Sequence, residues 1–560
     1  MKLQIKRKIT KKDSTEDIVA LLLKDRKLSD VNNFLNPSDP EKIPFSDFFS
    51  DKTNFKKDFQ RVIDLLKEFK KNKRMIIVYT DYDADGITGG AILWETLHLL
   101  GFKVMPFVPD RKREGYGLSK KGIDNVKKLY DPGLIITVDH GIVAHDQISY
   151  AKSIGIAVIV TDHHQKLDKK HDAALAVFHT DKLSGSGVSY FFSKELFRSL
   201  STLNTKYEIL NTNFKGDYLA LASIGTIADL VPLVGPSRSV VKYGLEQLSK
   251  SKRLGICQLL KEARIDGKEL SPYEVGFMIA PRINAFGRLS HAIDALRLLC
   301  TGNIERAKSL AKQAGATNKL RQDLVIKAIE EAEKMVDKSK KIIVLSSNKW
   351  EEGIIGLIAS KMVEKFYCPA VVMTKSDGFY KGSARSIPGF DITKFLREQK
   401  ELLVDVGGHK AAAGFTIKDD NLKSFIKAAE KKAQEEISDH DLIPKLDVDL
   451  ELPLEQVTLK LTQELKKLEP YGVGNPRPLF YSSGQLTSAR LFGANANHLK
   501  IELKSDAGVT LEIIFFNHGN RLSELDLGQT INIVYSPEID SWDGRIKVRG
   551  IGKFLHLDNV

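Results

Sequence analysis

The run Met75-Ile-Ile-Val-Tyr79-Thr-Asp81-Tyr-Asp83-Ala-Asp85-Gly86 decides how this chain folds. A short apolar run rich in Ile and Val reads as a buried strand. Three acids then follow on alternate positions. Alternate residues of an extended chain point the same way, so Asp81, Asp83 and Asp85 line one edge. Carboxylates that close repel one another unless a cation neutralises them. Gly86 lets the backbone turn tightly into a helix. A calcium loop of the EF-hand type would need Glu at its twelfth position, which is Ile92 here.

Working outward, further strand-like runs lie at 103–108, 134–138 and 156–160, separated by helix-length segments. That alternation predicts βαβ units and a parallel sheet. Each later acidic signal also follows an apolar stretch. Asp139 stands in Thr137-Val-Asp139-His140-Gly141, and Asp162-His163-His164 follows the run at 156–160. Asp229 sits in Gly225-Thr-Ile-Ala-Asp229-Leu, where burying it unpaired is costly. Ligands of open parallel sheets sit beyond the carboxyl ends of the strands. Several carboxylates and one or two imidazoles there suit two Mg²⁺ or Mn²⁺ ions, about 3.5–4 Å apart, acting at phosphorus. No Walker A, His-Glu-x-x-His or dinucleotide fingerprint competes with this reading.

The chain has 560 residues, 42% of them hydrophobic, which is too long for one core. Its formal net charge of +13 favours a polyanionic partner, because Lys and Arg release counterions from phosphates. Cys257, Cys300 and Cys368 are scattered and odd in number, which fits a reducing compartment and no disulfide frame. The basic N-terminus has no apolar segment behind it, and no run reaches membrane-spanning length. A soluble, cytoplasmic protein is expected. Residues 304–336 predict a long charged helix, and alternating strands at 498–503, 510–516 and 530–535 predict a small β-barrel.

The order of these motifs resembles the DHH phosphoesterases, named for the triplet found here as Asp162-His163-His164. The resemblance extends to a branch specific for single-stranded DNA, through Arg111-Lys-Arg-Glu-Gly115-Tyr-Gly117, Pro281-Arg-Ile-Asn-Ala-Phe-Gly-Arg288, Trp350-Glu-Glu-Gly-Ile-Ile-Gly356, Gly382-Ser-Ala-Arg-Ser386, Gly407-Gly-His409 and Glu469-Pro-Tyr-Gly-Val-Gly-Asn475-Pro476. Residues 1–70 read as a polar, helical N-terminal segment; over about 70–560 the resemblance implies an α/β multidomain chain with a parallel-sheet DHH catalytic domain (71–300), a connecting helix (301–338), a second α/β, DHH-associated domain (339–440) and a C-terminal OB-fold barrel (441–560).

The resemblance also assigns roles. Asp81, Asp83, Asp85, Asp139, His163 and Asp229 are the expected metal ligands, with Asp139 bridging two Mn²⁺ or Mg²⁺ ions. His164 faces the scissile phosphate, and Asp139 and Asp162 complete the expected catalytic set. Arg111, Tyr116, Arg282, Asn284, Arg288, Ser383, Arg385 and His409 are expected to hold substrate, by guanidinium or hydroxyl donors to phosphate or by stacking, with Arg282, Asn284 and Arg288 weighed equally as interdomain salt-bridge residues. Trp350 is weighed between stacking on bases and a place in the core. The implied activity is 5′→3′ hydrolysis of single-stranded DNA to 5′-mononucleotides in repair and recombination, by a monomer cooperating with single-strand-binding protein and no membrane. Relatives that cleave short oligonucleotides, cyclic dinucleotides or pyrophosphate share the metal motifs but generally lack the barrel. A catalytically dead scaffold relative would lack ligands that are present here. Two positions depart from the pattern: Tyr79, where some members place His, and Glu351, where relatives often have His.

Overall fold

The computed structural model describes residues 2–166, 171–201, 205–376, 378–542 and 545–557. The chain divides into two compact units. One comprises Ser38–Val231 and Gly235–Ile443; the other comprises Met1–Pro37, Pro232–Val234 and Pro444–Val560.

The first unit is built on a five-stranded parallel sheet. Its strands run in the order Val104–Phe107, Ile76–Thr80, Leu134–Val138, Ala157–Asp162, Ala176–His179. The two central strands Ile76–Thr80 and Leu134–Val138 are buried at every position, as a sheet covered on both faces requires. Side chains alternate between those faces. Ile77, Tyr79, Ile135, Val158 and Val160 pack with Ile123, Val126 and Ile148 of the helices Lys120–Tyr130 and His145–Ser153.

A helix of 32 residues, Ile304–Met335, follows, about 48 Å long at the usual rise per residue. It leads to a second sheet in the order Leu403–His409, Ala412–Lys418, Phe379–Arg385, Ala370–Ser376, Ile343–Ser346, mostly antiparallel. Trp350 lies in the core beside it at 4% exposure, its indole N–H donating to Glu331, so base stacking is not its role.

The second unit is a seven-stranded, closed β structure in which Phe480–Phe492, His498–Lys504, Thr510–Phe515, Thr530–Trp542 and Arg545–Leu557 curl around Leu486, Leu499, Ile501, Ile513 and Ile533. Here the structure corrects the expected helical N-terminal segment. Lys2–Lys8 is a strand, paired in parallel with Lys445–Glu451, and the helix Thr15–Asp25 buries Ile18 and Leu22 in the barrel core. The lysines that make 2–8 look helical belong to an exposed edge strand, where charge is common. Among the described residues no helix is long and apolar enough to cross a membrane.

Candidate metal centre

Sheet topology gathers the acids. Asp81 follows the strand Ile76–Thr80, Asp139 follows Leu134–Val138, and Asp162 ends Ala157–Asp162, so adjacent parallel strands deliver all three at their carboxyl ends. The ladder carries them in register: the Asp81 amide donates to the Val138 carbonyl and the Asp139 amide to that of Thr161, each at 3.1 Å. Asp139 has φ +67°, a left-handed backbone uncommon outside glycine, though Asp adopts it more readily than most residues. The fold holds this residue in a strained setting that aims its carboxylate inward.

Asp83 caps the helix Ala84–Leu99, accepting from the Asp85 and Gly86 amides at 3.0 and 3.1 Å. Gly86 is required, because a Cβ there would lie 2.7 Å from the Asp81 carbonyl oxygen. Asp85 is gripped by the N-terminus of the helix Gly185–Leu200, its two oxygens accepting from the Gly185 amide (2.6 Å) and the Ser186 amide (3.0 Å). Asp229 caps the C-terminal end of Asp217–Ala228.

His163 Nε2 sits at the middle of the cluster. It lies 3.1 Å from Asp139 Oδ1, 3.4 Å from Asp229 Oδ2 and 3.9 Å from Asp85 Oδ2. Three donor groups, each within 4.8 Å, result: Asp139, His163 and His164; Asp85, His163 and Asp229; Asp81, Asp83 and Asp139. All six residues expected as ligands thus converge, and Asp139 is shared by two groups.

The chemistry of the set fits divalent cations. Asp139 Oδ1 and His163 Nε2 are buried without a hydrogen-bond partner. Such orphans are costly unless something fills them. Burial, then Asp85, Asp83 and Asp229, holds the Asp139 carboxyl well above its usual range. Burial, then Asp85 and Asp83, pushes Asp229 up to about 8. Burial draws the His163 imidazole down, which favours the neutral form that can ligate. Oxygen-rich donors with one imidazole suit Mn²⁺ and Mg²⁺.

Asp162 and His164 form a second tier. His164 Nδ1 lies 2.8 Å from Asp162 Oδ1, and its Nε2 lies 3.2 Å from the Tyr116 hydroxyl. Burial works against a charged His164, but the hydrogen bond and charge of Asp162 outweigh it and raise His164 to about 9. Tyr79 packs against Phe107 and His140, at ring distances of 4.8 and 5.2 Å.

The Arg111 guanidinium lies 4.3 Å over the Tyr82 ring, and its charge reaches Asp81. Arg385 bonds to the Ser383 hydroxyl at 3.0 Å. Arg288 donates to the Gly353 carbonyl (2.9 Å); burial, then the charges of Arg111 and Arg321, with Arg385 weaker, lowers it to about 10. His409 lies with its ring 6.3 Å from that of His164. Two more of the expected substrate residues also bond within the protein: the Asn284 side-chain carbonyl accepts the Ala84 amide (2.7 Å), steadying the acidic loop, and one terminal nitrogen of Arg282 donates to the Met278 carbonyl. Glu351 lies 3.4 Å from Lys112 as an exposed pair.

Sequence reasoning missed Arg321, which completes the group of guanidiniums from the connecting helix. Its signal was the lack of any acid three or four positions away, among Thr317, Asn318, Leu324 and Val325. It also missed the Gly185 and Ser186 amides that grip Asp85.

Comparison with known proteins agrees with this architecture. Residues 75–226 match the DHH family N-terminal domain, 339–435 the DHHA1 domain and 448–551 the RecJ OB domain. The chain is 35% identical over 497 residues to the single-stranded-DNA-specific exonuclease RecJ of Bacillus subtilis, covering 88% of this chain and 62% of that protein, less than two thirds of its length. It is 32% identical to RecJ of Thermus thermophilus (88% and 70% covered) and 30% identical to RecJ of Escherichia coli (90% of each). Among solved structures, RecJ of Thermus thermophilus in complex with Mn²⁺ aligns with TM-score 0.80 at 28% identity, covering 100% of this chain and 80% of that one. Exonuclease RecJ bound to manganese aligns with TM-score 0.58 at 33% identity, covering 68% and 97%. On the strength of these relatives and of its DHH, DHHA1 and OB segments, the chain belongs to the RecJ family.

Proposed function

We propose that this protein is a divalent-metal-dependent exonuclease that hydrolyses single-stranded DNA from the 5′ end to 5′-mononucleotides, in DNA repair and recombination. The observation that carries it is a group of guanidiniums that adjoins the acidic loop: the charge of Arg111 reaches Asp81, Arg288 feels Asp83, and Arg321 and Arg385 lie close enough to Arg288 to repel it. A terminal phosphate seated on those guanidiniums fixes which bond reaches the carboxylates, so one nucleotide leaves at a time. We read 71–300 as the catalytic domain, 301–338 as the connector, 339–440 as the DHH-associated domain and 441–560 as the OB domain, which tracks the strand. A cytoplasmic monomer working with single-strand-binding protein completes the proposal.

Asp81, Asp83, Asp85, Asp139, His163 and Asp229 would hold two Mn²⁺ or Mg²⁺ ions. When bound, such ions neutralise charge at the phosphate and acidify the attacking water. The remaining work belongs to the chain. His164, kept charged by Asp162, donates from Nε2 to an oxygen of the scissile phosphate, in the position where it now meets Tyr116. Asn284 and the Gly185 helix hold the acidic loop still.

The test is a substrate panel with Mn²⁺: single-stranded DNA, duplex, dinucleotide, cyclic dinucleotide and pyrophosphate. Turnover of the single strand above all others is expected. Intact DNA alongside cleaved dinucleotide or pyrophosphate would assign a small-substrate phosphodiesterase instead.

A further inference from the structure

Residues 272–289 form one continuous helical run, from Pro272–Glu274 through a π-helical turn, Val275–Ile279, into Ala280–Leu289. The cause of the wide turn is local. Pro281 has no N–H for the Phe277 carbonyl and its ring crowds the preceding turn. The Ala280 amide accordingly reaches back to the Val275 carbonyl. The loosened turn presents two aromatic rings outward. Tyr273 and Phe277 are 61% and 69% exposed, and their rings lie 4.8 Å apart at 30°, stacked on each other. Nothing in the fold of this unit needs them there, because the buried face of the turn is Val275 and Ile279.

The position of the pair relates it to the metal centre. A Cβ on Gly276 would meet Ile227 at 3.9 Å, and Ile227 stands two residues before Asp229. Further along the same run, Asn284 holds the Ala84 amide and Arg288 feels the charge of Asp83. Phe277 and Asn284 are about 10 Å apart along the axis. That is about three nucleotides at the ~3.4 Å spacing of stacked bases in one strand. Between them lies Arg282, whose Nε is buried with no hydrogen-bond partner.

We infer that Tyr273 and Phe277 are a nucleobase platform on the path of the DNA strand, about three nucleotides from the bond that is cut. This rests on the exonuclease reading and specifies a part of its substrate path. Two stacked rings on an exposed helical turn offer a π face to any base, without sequence preference. Arg282 adds a cation for the backbone between the platform and the centre.

The experiment uses the full-length protein with Mn²⁺ and a long 5′-phosphorylated oligothymidylate, intact or with one abasic nucleotide at successive positions. For Tyr273→Ala with Phe277→Ala, KM on the intact strand is expected to rise about 5- to 150-fold, the range measured for loss of one base stack. The change falls on KM rather than kcat, and Phe277→Trp restores it. In the wild type, an abasic nucleotide about three from the cleaved bond raises KM, and in the double variant that position-specific penalty is gone. Equal KM values for wild type and double variant overturn the platform and leave the exonuclease reading standing. Wild-type protein that cuts no DNA overturns both. Self-association of the wild type that the double variant loses, with KM unchanged, makes the pair a protein interface and also overturns the platform.

Discussion

Asp162 Oδ1 lies 2.8 Å from His164 Nδ1, and the same oxygen accepts the His163 and His164 amides at 2.7 and 3.1 Å. The other oxygen accepts the Ile142 amide at 2.8 Å. Both oxygens are therefore engaged inside the protein, and among the described residues Asp162 belongs to none of the three donor groups. In the proposed mechanism it orients His164 and keeps it charged. Asp162→Asn is expected to lower kcat by about 10²-fold or more, the usual worth of a positioned proton donor, while Mn²⁺ stoichiometry stays unchanged. Steady-state kinetics with direct metal titration checks this; loss of bound metal in the variant would make Asp162 a ligand support instead.

Gly185→Ala tests the grip on the ligands. A Cβ at Gly185 would lie 2.4 Å from the Asp139 side chain, so either Asp139 or the helix start must move. Mn²⁺ affinity measured by calorimetry is expected to fall by about 10- to 100-fold, the usual effect of disturbing what holds a ligand. Wild-type affinity in a folded variant contradicts the account.

Metal binding should release protons. Asp229 is raised to about 8, so at neutral pH its metal-free carboxyl carries a proton that a cation must displace, and the upward shift of Asp139 acts in the same direction. Mn²⁺ affinity should rise with pH up to about 8, with heats that depend on the buffer. The stability sign follows from the same shift. A carboxyl raised in the folded state binds more protons there than when unfolded, so its stabilising effect is full below the ordinary Asp pKa. That effect is lost as pH rises towards about 8. Metal-free protein should lose melting temperature over this window, and saturating Mn²⁺ should flatten the slope.

Arg321→Gln removes one of the converging guanidiniums while leaving the metal ligands alone. The preference for a 5′-phosphorylated over a 5′-hydroxyl strand is expected to fall by roughly tenfold or more, from the worth of one charge-assisted hydrogen bond. An unchanged preference, measured as a ratio of kcat/KM values, removes Arg321 from the terminal-phosphate seat.

What could be read in the sequence was local. The strand at 134–138 and the acids that follow each strand stand where periodicity and strand-end chemistry put them. Asp81, Asp139 and His163 meet because parallel pairing makes strand ends coincide, and the start of Ala84–Leu99 and the end of Asp217–Ala228 bring Asp83, Asp85 and Asp229 to them. What could not be read was decided by distant partners. Lys2–Lys8 is a strand only because Lys445–Glu451 supplies its ladder, 443 positions away. Asn284 resembles a substrate residue in its motif, yet the Ala84 amide, 200 positions earlier, takes its carbonyl. Arg321 looked like one more charge on a solvated helix until the fold set it beside Arg288.

The most direct measurement uses single-stranded DNA labelled at the 5′ or the 3′ end, with Mn²⁺ or with EDTA, for the wild type and for Asp139→Ala. The account predicts immediate release of the 5′ label as mononucleotide, only with metal and only with Asp139 present. Release of the 3′ label first, or equal release by Asp139→Ala or in EDTA, would contradict it.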